Sequence, residues 1–425
     1  MHDLRSLRFS ALLFFFSVQS FCHAQSRLDE APINYTETKG ENRVSAMIDK
    51  VDSGELDLIY EDGYGYLRSI LDELQVPVSS QALVFSKTSL QTGRISPTNP
   101  RAIFFGDDVY VGWVRGSSLL EISAADPKLG AVYYTIQMSP RRPSMRRENF
   151  RCLGCHERTD DHGKVPVHTI QSVMARSSGK INLLLDSFVT DHTSPIAERW
   201  GGWYVTGGHG LMKHMGNAFL EGDQLVSLGP SDAETLQGQF DLSRWPVASS
   251  DIVALMVLEH QVEMHNQLAS ANFAVRRARY ASTDPADEVA DLDTVIDRSA
   301  KQVVDHLLFV DEAKLESEIQ CSNTFADDFA TKGPTTRDGR SLRQFDLKRR
   351  LFRYPCSYTI YSPAFAALDS QLKDRVFQRL WQVLSGQDVS PEYGHLSSQD
   401  RGDILQILRA TLDDLPVSWT NAEAS

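Results

Sequence analysis

Long apolar runs are missing from this chain. Past its first 24 residues, no stretch reaches the roughly 18 apolar residues that a membrane-crossing helix needs, so a polytopic membrane protein is excluded. Positive charge is also in short supply. Against 56 Asp and Glu stand 43 Lys and Arg, a formal net charge of −13. A chain this acidic has no overall electrostatic footprint for nucleic acid. Internal repeats and long low-complexity segments are absent. Gly (26) and Pro (17) stay at ordinary levels in 425 residues, which excludes collagen, coiled coil and wholesale disorder. Cysteine is scarce, five in all, and only one C-x-x-C occurs.

The first 24 residues read as a leader. Arg5 and Arg8 precede the apolar stretch Phe9 to Phe21, and Cys22-His23-Ala24 offers small residues at a cleavage point. This is the pattern of a secretory signal peptide over 1–24. Removing it takes away Asp3, Arg5 and Arg8, so the mature chain carries −14. The expected product is exported, in the periplasm or beyond, with no integral span left after cleavage.

Cysteine arithmetic carries the main signal. Arg151-Cys152-Leu153-Gly154-Cys155-His156 contains C-x-x-C-H, the attachment motif for c-type haem. Two thiols three residues apart reach the two vinyl groups on one haem edge, and the next residue, His156, then lies under the iron as an axial ligand. A thioredoxin-like C-x-x-C belongs between a strand and a helix, whereas Pro140 to Phe150 reads as an Arg- and Pro-rich loop. A zinc site needs a second Cys/His pair at metal spacing, and no second C-x-x-C exists. The sequence therefore predicts one covalently attached haem c on Cys152, Cys155 and His156. Cys321 and Cys356 are either a disulfide, worth about 4 kcal/mol in the chain-entropy model, or two separate thiols.

The order of elements predicts an α+β fold. Residues 25–150 form an α+β region. Val44, Met47, Ile48 and Val51 give an amphipathic helix stopped by Gly54, and Leu67 to Leu74 gives another. Strands follow: a hairpin over Ile103 to Val114 about Gly106-Asp107-Asp108, then Leu119 to Ser123 and Ala131 to Met138. Residues 151–248 form the haem-bearing region, with a hairpin over Val173 to Val189 about Ser178-Gly179 and a Gly- and aromatic-rich segment, Trp200 to Gly210. Residues 249–425 are mainly helical: Asp251 to Tyr280, Asp291 to Ile319, Gln371 to Leu384 and Asp400 to Leu412. A haem motif in mid-chain with strands around it does not suit a simple class I cytochrome c.

Three stretches carry a resemblance: Val78-Ser79-Ser80-Gln81-Ala82-Leu83-Val84-Phe85-Ser86-Lys87-Thr88-Ser89, then Glu198-Arg199-Trp200-Gly201-Gly202-Trp203-Tyr204-Val205-Thr206-Gly207, then Arg350-Leu351-Phe352-Arg353-Tyr354-Pro355-Cys356-Ser357. With the single C-x-x-C-H they make the chain resemble a group of exported bacterial proteins of c-type cytochrome character. The resemblance covers nearly the whole mature chain. It implies a c-type cytochrome and little about activity.

The second axial position decides between electron transfer and catalysis. His209 has Gly on both sides, and His214 and Met215 follow at once, so His209, or else His214, is expected to face the haem iron. Met256, His260 and Met264 form one stripe of a helix, which reads either as core or, with Glu263 beside His260, as a distal acid–base pair. His162, His168 and His192 sit among turn residues and are expected at the surface. Arg141, Arg142, Arg146, Arg147 and Arg151 suit haem propionates or the docking of a redox partner protein. Arg340, Arg343, Arg349, Arg350 and Arg353 form a second such cluster. The expectation is an exported monohaem cytochrome working in electron transfer. The alternative is a haem enzyme, peroxidase- or oxygenase-like, with an open distal site.

Overall fold

A computed structural model describes residues 28–160, 163–181, 187–282, 291–417 and 419. The leader with Cys22, and His162, lie outside the described residues.

Helix α1 (Arg43–Ser53) begins at a capping box made by Asn42 and Ser45 and ends where Gly54 turns to a φ of 79°. A second helix, α2 (Leu67–Glu73), buries Leu67, Ile70 and Leu71. Both pack against a sheet of six antiparallel strands laid side by side in chain order. These are β1 (Ala82–Val84), β2 (Arg101–Phe105), β3 (Val109–Val114), β4 (Leu119–Asp126), β5 (Gly130–Gln137) and β6 (Ser144–Glu148).

The register gives the sheet two unlike faces. One face carries Ala102, Trp113, Leu120 and Ile136 in one cross-strand row and Phe104, Val111, Ile122 and Tyr134 in the next. This face joins α1 and α2 in an apolar core. The other face is mixed, apolar on β2 at Ile103 and Phe105, which join a second core, and polar towards β6. Tyr110, Ser123, Tyr133 and Glu148 make one row, and Gly112, Glu121, Thr135 and Arg146 make the next.

Past β6 come a one-turn helix, α3 (Phe150–Leu153), and a hairpin of β7 (Glu157–Asp160) and β8 (Gly163–Pro166). The expected hairpin over 173–189 takes a different form. Two-residue strands β9 (Gln171–Ser172) and β10 (Phe188–Val189) pair, and Ala175 faces Ile181 about Gly179, while 182–186 lie outside the described residues. A further hairpin, β11 (Ala218–Glu221) and β12 (Gln224–Ser227), precedes the short helix α4 (Ala233–Gln237).

The axis of the C-terminal half is α5 (Ile252–Ala281), capped by the Asp251 carboxylate, which accepts the N–H groups of Val253 and Ala254. It is buried along most of its length, and its buried residues include Glu259, His260, Gln261, Glu263, His265 and Asn266. Polar residues are tolerated there only with partners, and those partners come from segments distant in sequence. The next helix, α6 (Leu292–Leu307), is shorter than expected because Phe309 takes a φ of 56°, which turns the chain. Short helices α7 (Phe325–Ala330) and α8 (Pro363–Ala366) follow, then α9 (Ser370–Leu384), which lies on α6, and α10 (Ser398–Thr411). The fold is α+β, with the antiparallel sheet in the N-terminal half. No helix among the described residues is long and apolar enough to cross a membrane.

Candidate haem site

The motif hangs from the edge of the sheet. After Glu148 in β6 the chain makes one helical turn. The His156 N–H donates to the Cys152 carbonyl at 2.9 Å and the Cys155 N–H at 3.1 Å, which brings both thiols and the imidazole onto one loop of backbone. Val167 then fixes the loop by donating to the His156 carbonyl at 2.9 Å. Arg151 reaches Glu148 at 3.6 Å, and Glu148 accepts from Thr135 at 2.8 Å, so the motif is tied to the mixed face. The His156 ring lies 5.0 Å from that of Tyr133, whose hydroxyl donates to the Val167 carbonyl.

The outer side of the motif is open. Cys155 is exposed, Cys152 half-buried, and Phe150 keeps 77% of its surface in solvent. The inner side is closed and polar. Burial pushes the Cys152 thiol up to about 11, helped by Glu148 and Glu121. Burial lowers the His156 pKa, with Arg101 acting in the same direction.

Four side-chain atoms near the motif are buried without a hydrogen-bond partner: Gln91 Oε1, Arg101 Nε, Asn149 Oδ1 and His156 Nδ1. Buried polar atoms are rarely left so. An exposed and a half-buried thiol, an imidazole turned inward and unpartnered polar atoms suit a flat group with an apolar edge and charged carboxylates. The residues present therefore fit a haem held by Cys152, Cys155 and His156.

His209 and His214 are brought together, and in a different setting. Their rings are 4.8 Å apart, and their Nε2 atoms lie 3.1 and 2.9 Å from the Ser231 hydroxyl. The Met212 carbonyl, 2.7 Å from His209 Nδ1, can only accept, so that nitrogen donates and His209 Nε2 accepts from Ser231. His214 Nε2 then donates to the Ser231 oxygen. No hydrogen bond or ring contact joins either histidine to His156. The glycines beside them serve backbone packing instead. A Cβ on Gly208 would lie 2.9 Å from Gln320 Oε1 and one on Gly210 2.5 Å from Ser317 Cβ, and one on the preceding Gly207 would lie 2.6 Å from the Gln320 carbonyl.

His260 does not pair with Glu263, although the two are neighbours on α5, because each is held by other partners. Glu263 receives both ends of the Arg158 guanidinium, at 2.9 and 3.0 Å. His260 Nε2 meets Ser357 at 2.7 Å and its Nδ1 meets His192 Nδ1 at 3.2 Å. The His192 Nε2 donates to the Val310 carbonyl at 3.3 Å, which makes His192 Nδ1 the acceptor and His260 Nδ1 the donor. Nearby, Arg199 and Glu259 form a fully buried ion pair at 3.1 Å, and burial pushes the Glu259 carboxyl up to about 7.

His168 and His192, expected at the surface, are buried. Asn266 grips the His168 backbone from α5, accepting from its N–H and donating to its carbonyl, both at 2.9 Å. The His168 ring rests 4.6 Å from Tyr110, and His265 Nδ1 bonds the Tyr110 hydroxyl at 2.9 Å. Turn residues around a histidine say nothing of a partner about a hundred positions away.

The arginine clusters divide. Arg147 donates to the Tyr35 and Thr38 carbonyls, at 2.7 and 2.6 Å, and is structural. Arg146 pairs with Glu148 and Arg142 with Asp52, while Arg141, Arg142, Arg146 and Arg151 stay exposed. The second group is no common patch. Arg343 is buried against Phe329 and Tyr358 and pairs with Asp107, while Arg340 pairs with Asp403 and Arg350 with Asp400. Cys321 and Cys356 are separate thiols.

Arg101, Glu121 and Tyr133 were not singled out from sequence. Their signal was the alternation of polar residues in strands whose other face is apolar, Glu121 and Ser123 in β4 and Tyr133 and Thr135 in β5. No family model, curated protein or solved structure matches the chain.

Proposed function

We propose that this chain is an exported monohaem c-type cytochrome that works in electron transfer. The supporting observation is the C-x-x-C-H turn itself, with one thiol exposed and one half-buried, His156 turned inward, and unpartnered polar atoms gathered behind it. Cys152 and Cys155 would hold the haem edge through their thiols, and His156 would bind its iron. Bound there, the haem supplies reversible one-electron exchange.

The chain's own residues favour electron transfer over peroxidase- or oxygenase-like chemistry. A carboxylate accepting from the far nitrogen of an axial histidine makes that ligand more basic. Glu121 is the nearby candidate, but its oxygens are taken by Arg101 at 3.0 Å, Gln91 at 3.0 Å and the Leu90 N–H at 3.0 Å. His156 Nδ1 accordingly has no carboxylate partner. Docking of a redox partner beside the exposed Arg141, Arg142, Arg146 and Arg151 belongs to the same reading, as does a periplasmic location.

The test is covalent attachment. Mature protein made alongside a haem-attachment system should gain one haem mass and keep its haem absorption after denaturation. Cys152→Ala with Cys155→Ala should lose both. Haem that stays covalently bound in the double variant, or wild-type protein that never acquires it, rejects the reading.

A further inference from the structure

We propose that Arg101 and Glu121, a charge pair on the mixed face of the sheet beneath the motif, set the reduction potential of the haem. The inference rests on the haem reading above and adds to it two residues that act through position and charge rather than by ligation.

The pair is built into the sheet. Arg101 opens β2, and its guanidinium lies across β3 to reach Glu121 in β4 at 3.0 Å, with side-chain exposures of 19% and 13%. Gly112, opposite Glu121 in the register, makes that crossing possible. A Cβ at Gly112 would overlap the Arg101 guanidinium. Glycine inside a buried strand weakens it, and close approach of another group is the usual reason to keep one there. Gln91 and the Leu90 N–H complete the hold on Glu121.

The pair lies under the motif by construction. Glu121 faces Thr135 across β4 and β5, and Thr135 is bonded to Glu148, which Arg151 of the motif reaches. Tyr133, two residues back on the same face of β5, meets His156. Arg101 Nε and His156 Nδ1 are both buried and unpartnered.

Oxidised haem carries one more positive charge than reduced haem. In a partly buried setting, a nearby cation disfavours oxidation and a nearby anion favours it. In the native protein the two charges largely cancel. Removing Arg101 leaves Glu121 uncompensated and lowers the potential, whereas removing Glu121 leaves Arg101 uncompensated and raises it.

The experiment is a spectroelectrochemical titration of the haem-loaded full chain, with covalent haem confirmed by mass. Arg101→Gln is expected to lower the potential and Glu121→Gln to raise it. Each shift should equal about a tenfold change in the electron equilibrium, about 59 mV for one electron. The double variant should return close to wild type, and Arg101→Lys, which keeps the charge, should restore most of the Arg101→Gln loss. Gly112→Ala, which displaces the guanidinium without removing it, should move the potential in the Arg101→Gln direction by less. Should Arg101→Gln fail to fold, Gly112→Ala and Glu121→Gln still carry the opposite-sign test. Single variants that shift the potential the same way, or by less than a threefold equilibrium change, overturn the inference while covalent haem leaves the cytochrome reading intact. Wild type without covalent haem overturns both.

Discussion

On the flank of α5 that faces away from the sheet, both nitrogens of His260 and both of His192 have hydrogen-bond partners. On the flank that faces the sheet, His168 and His265 each use Nδ1 on a hydroxyl and leave Nε2 buried and unpartnered, and His156 leaves Nδ1 so. Histidine content alone does not separate these regions. The first is a closed relay whose donors and acceptors assign one another, from Ser357 through His260 and His192 to the Val310 carbonyl. The second is adjacent to two free thiols and is not closed by the chain's own groups. Density of ligand-type residues is thus a poorer guide to a site than the bookkeeping of their valences. By that measure the His209–His214 loop falls between the two kinds: both nitrogens of His209 have partners, while His214 leaves Nδ1 buried and unpartnered.

The strongest way to break the comparison is to attack the closed flank. Arg199→Met removes donors to Glu259 at 3.1 Å, to the Ser194 carbonyl at 2.8 Å and to the His192 carbonyl at 2.9 Å. Breaking one member of a buried pair costs about 3–5 kcal/mol, so urea denaturation should show a loss of that order. Covalent haem, where the variant folds, should keep its spectrum.

Acid should act next, and with a definite sign. Burial holds His192, His214 and His265 down at about 4, and lowers His168 and His260 well below the usual imidazole range. The unfolded chain takes up these protons near pH 6.5, while the folded protein resists them. The stability due to neutral burial is therefore full above about pH 6.5 and is lost as pH falls from there towards 4. Glu259 and Glu312, both pushed up to about 7 by burial, act in the opposite sense. Their contribution is full below about pH 4.3 and fades as pH rises to 7. The histidines outnumber the carboxylates, so thermal unfolding followed from pH 7 to 4.5 should show Tm falling. A flat or rising Tm over that range would contradict the burial of these rings.

The loop gives a sharper and smaller contrast. His214→Ala takes a donor from the Ser231 hydroxyl, at a cost of about 1–2 kcal/mol. The haem spectrum and potential should not move in this variant or in His209→Ala. A change of the ferric spectrum to high spin in either would place the loop at the iron and undo the distinction drawn above.

The smallest effect is one of labelling order. In haem-free protein, exposed Cys155 should react with iodoacetamide before Cys152, whose thiol is held up at about 11. Buried Cys356, at about 12, should react last, and non-reducing peptide maps should show no Cys321–Cys356 link.

Period and punctuation made much of the fold legible. Strands β2 to β5 and helices α1, α2, α5, α9 and α10 appear where apolar spacing puts them, because each buries a face whose rhythm shows in a dozen residues. The α6 helix stopped early at Phe309, a backbone turn that no periodicity announces. At the site, the C-x-x-C-H reading needed only local spacing. The groups behind it did not come from local spacing. Arg101 lies some fifty residues before the motif and Asn266 about a hundred after it, and their roles exist only once the sheet and α5 have met. His168 and His192 were misjudged for the same reason, since burial of a polar ring depends on who arrives to bond it.

The placement of the motif on a single helical turn beyond an edge strand bears on how the protein is assembled. Its ties to the rest include the Arg151–Glu148 contact, the Val167 hydrogen bond, the Tyr133 ring and the packing of Leu153 against the N-terminal apolar core. Such a segment can open locally at far less than the free energy of global unfolding. On the cytochrome reading, a haem-attachment machinery could therefore reach both thiols in a chain whose two apolar cores are already formed. If the chain is the proposed cytochrome, haem loading and folding are separable steps in biogenesis, and a chain that misses its cofactor can remain a folded substrate for a later attempt.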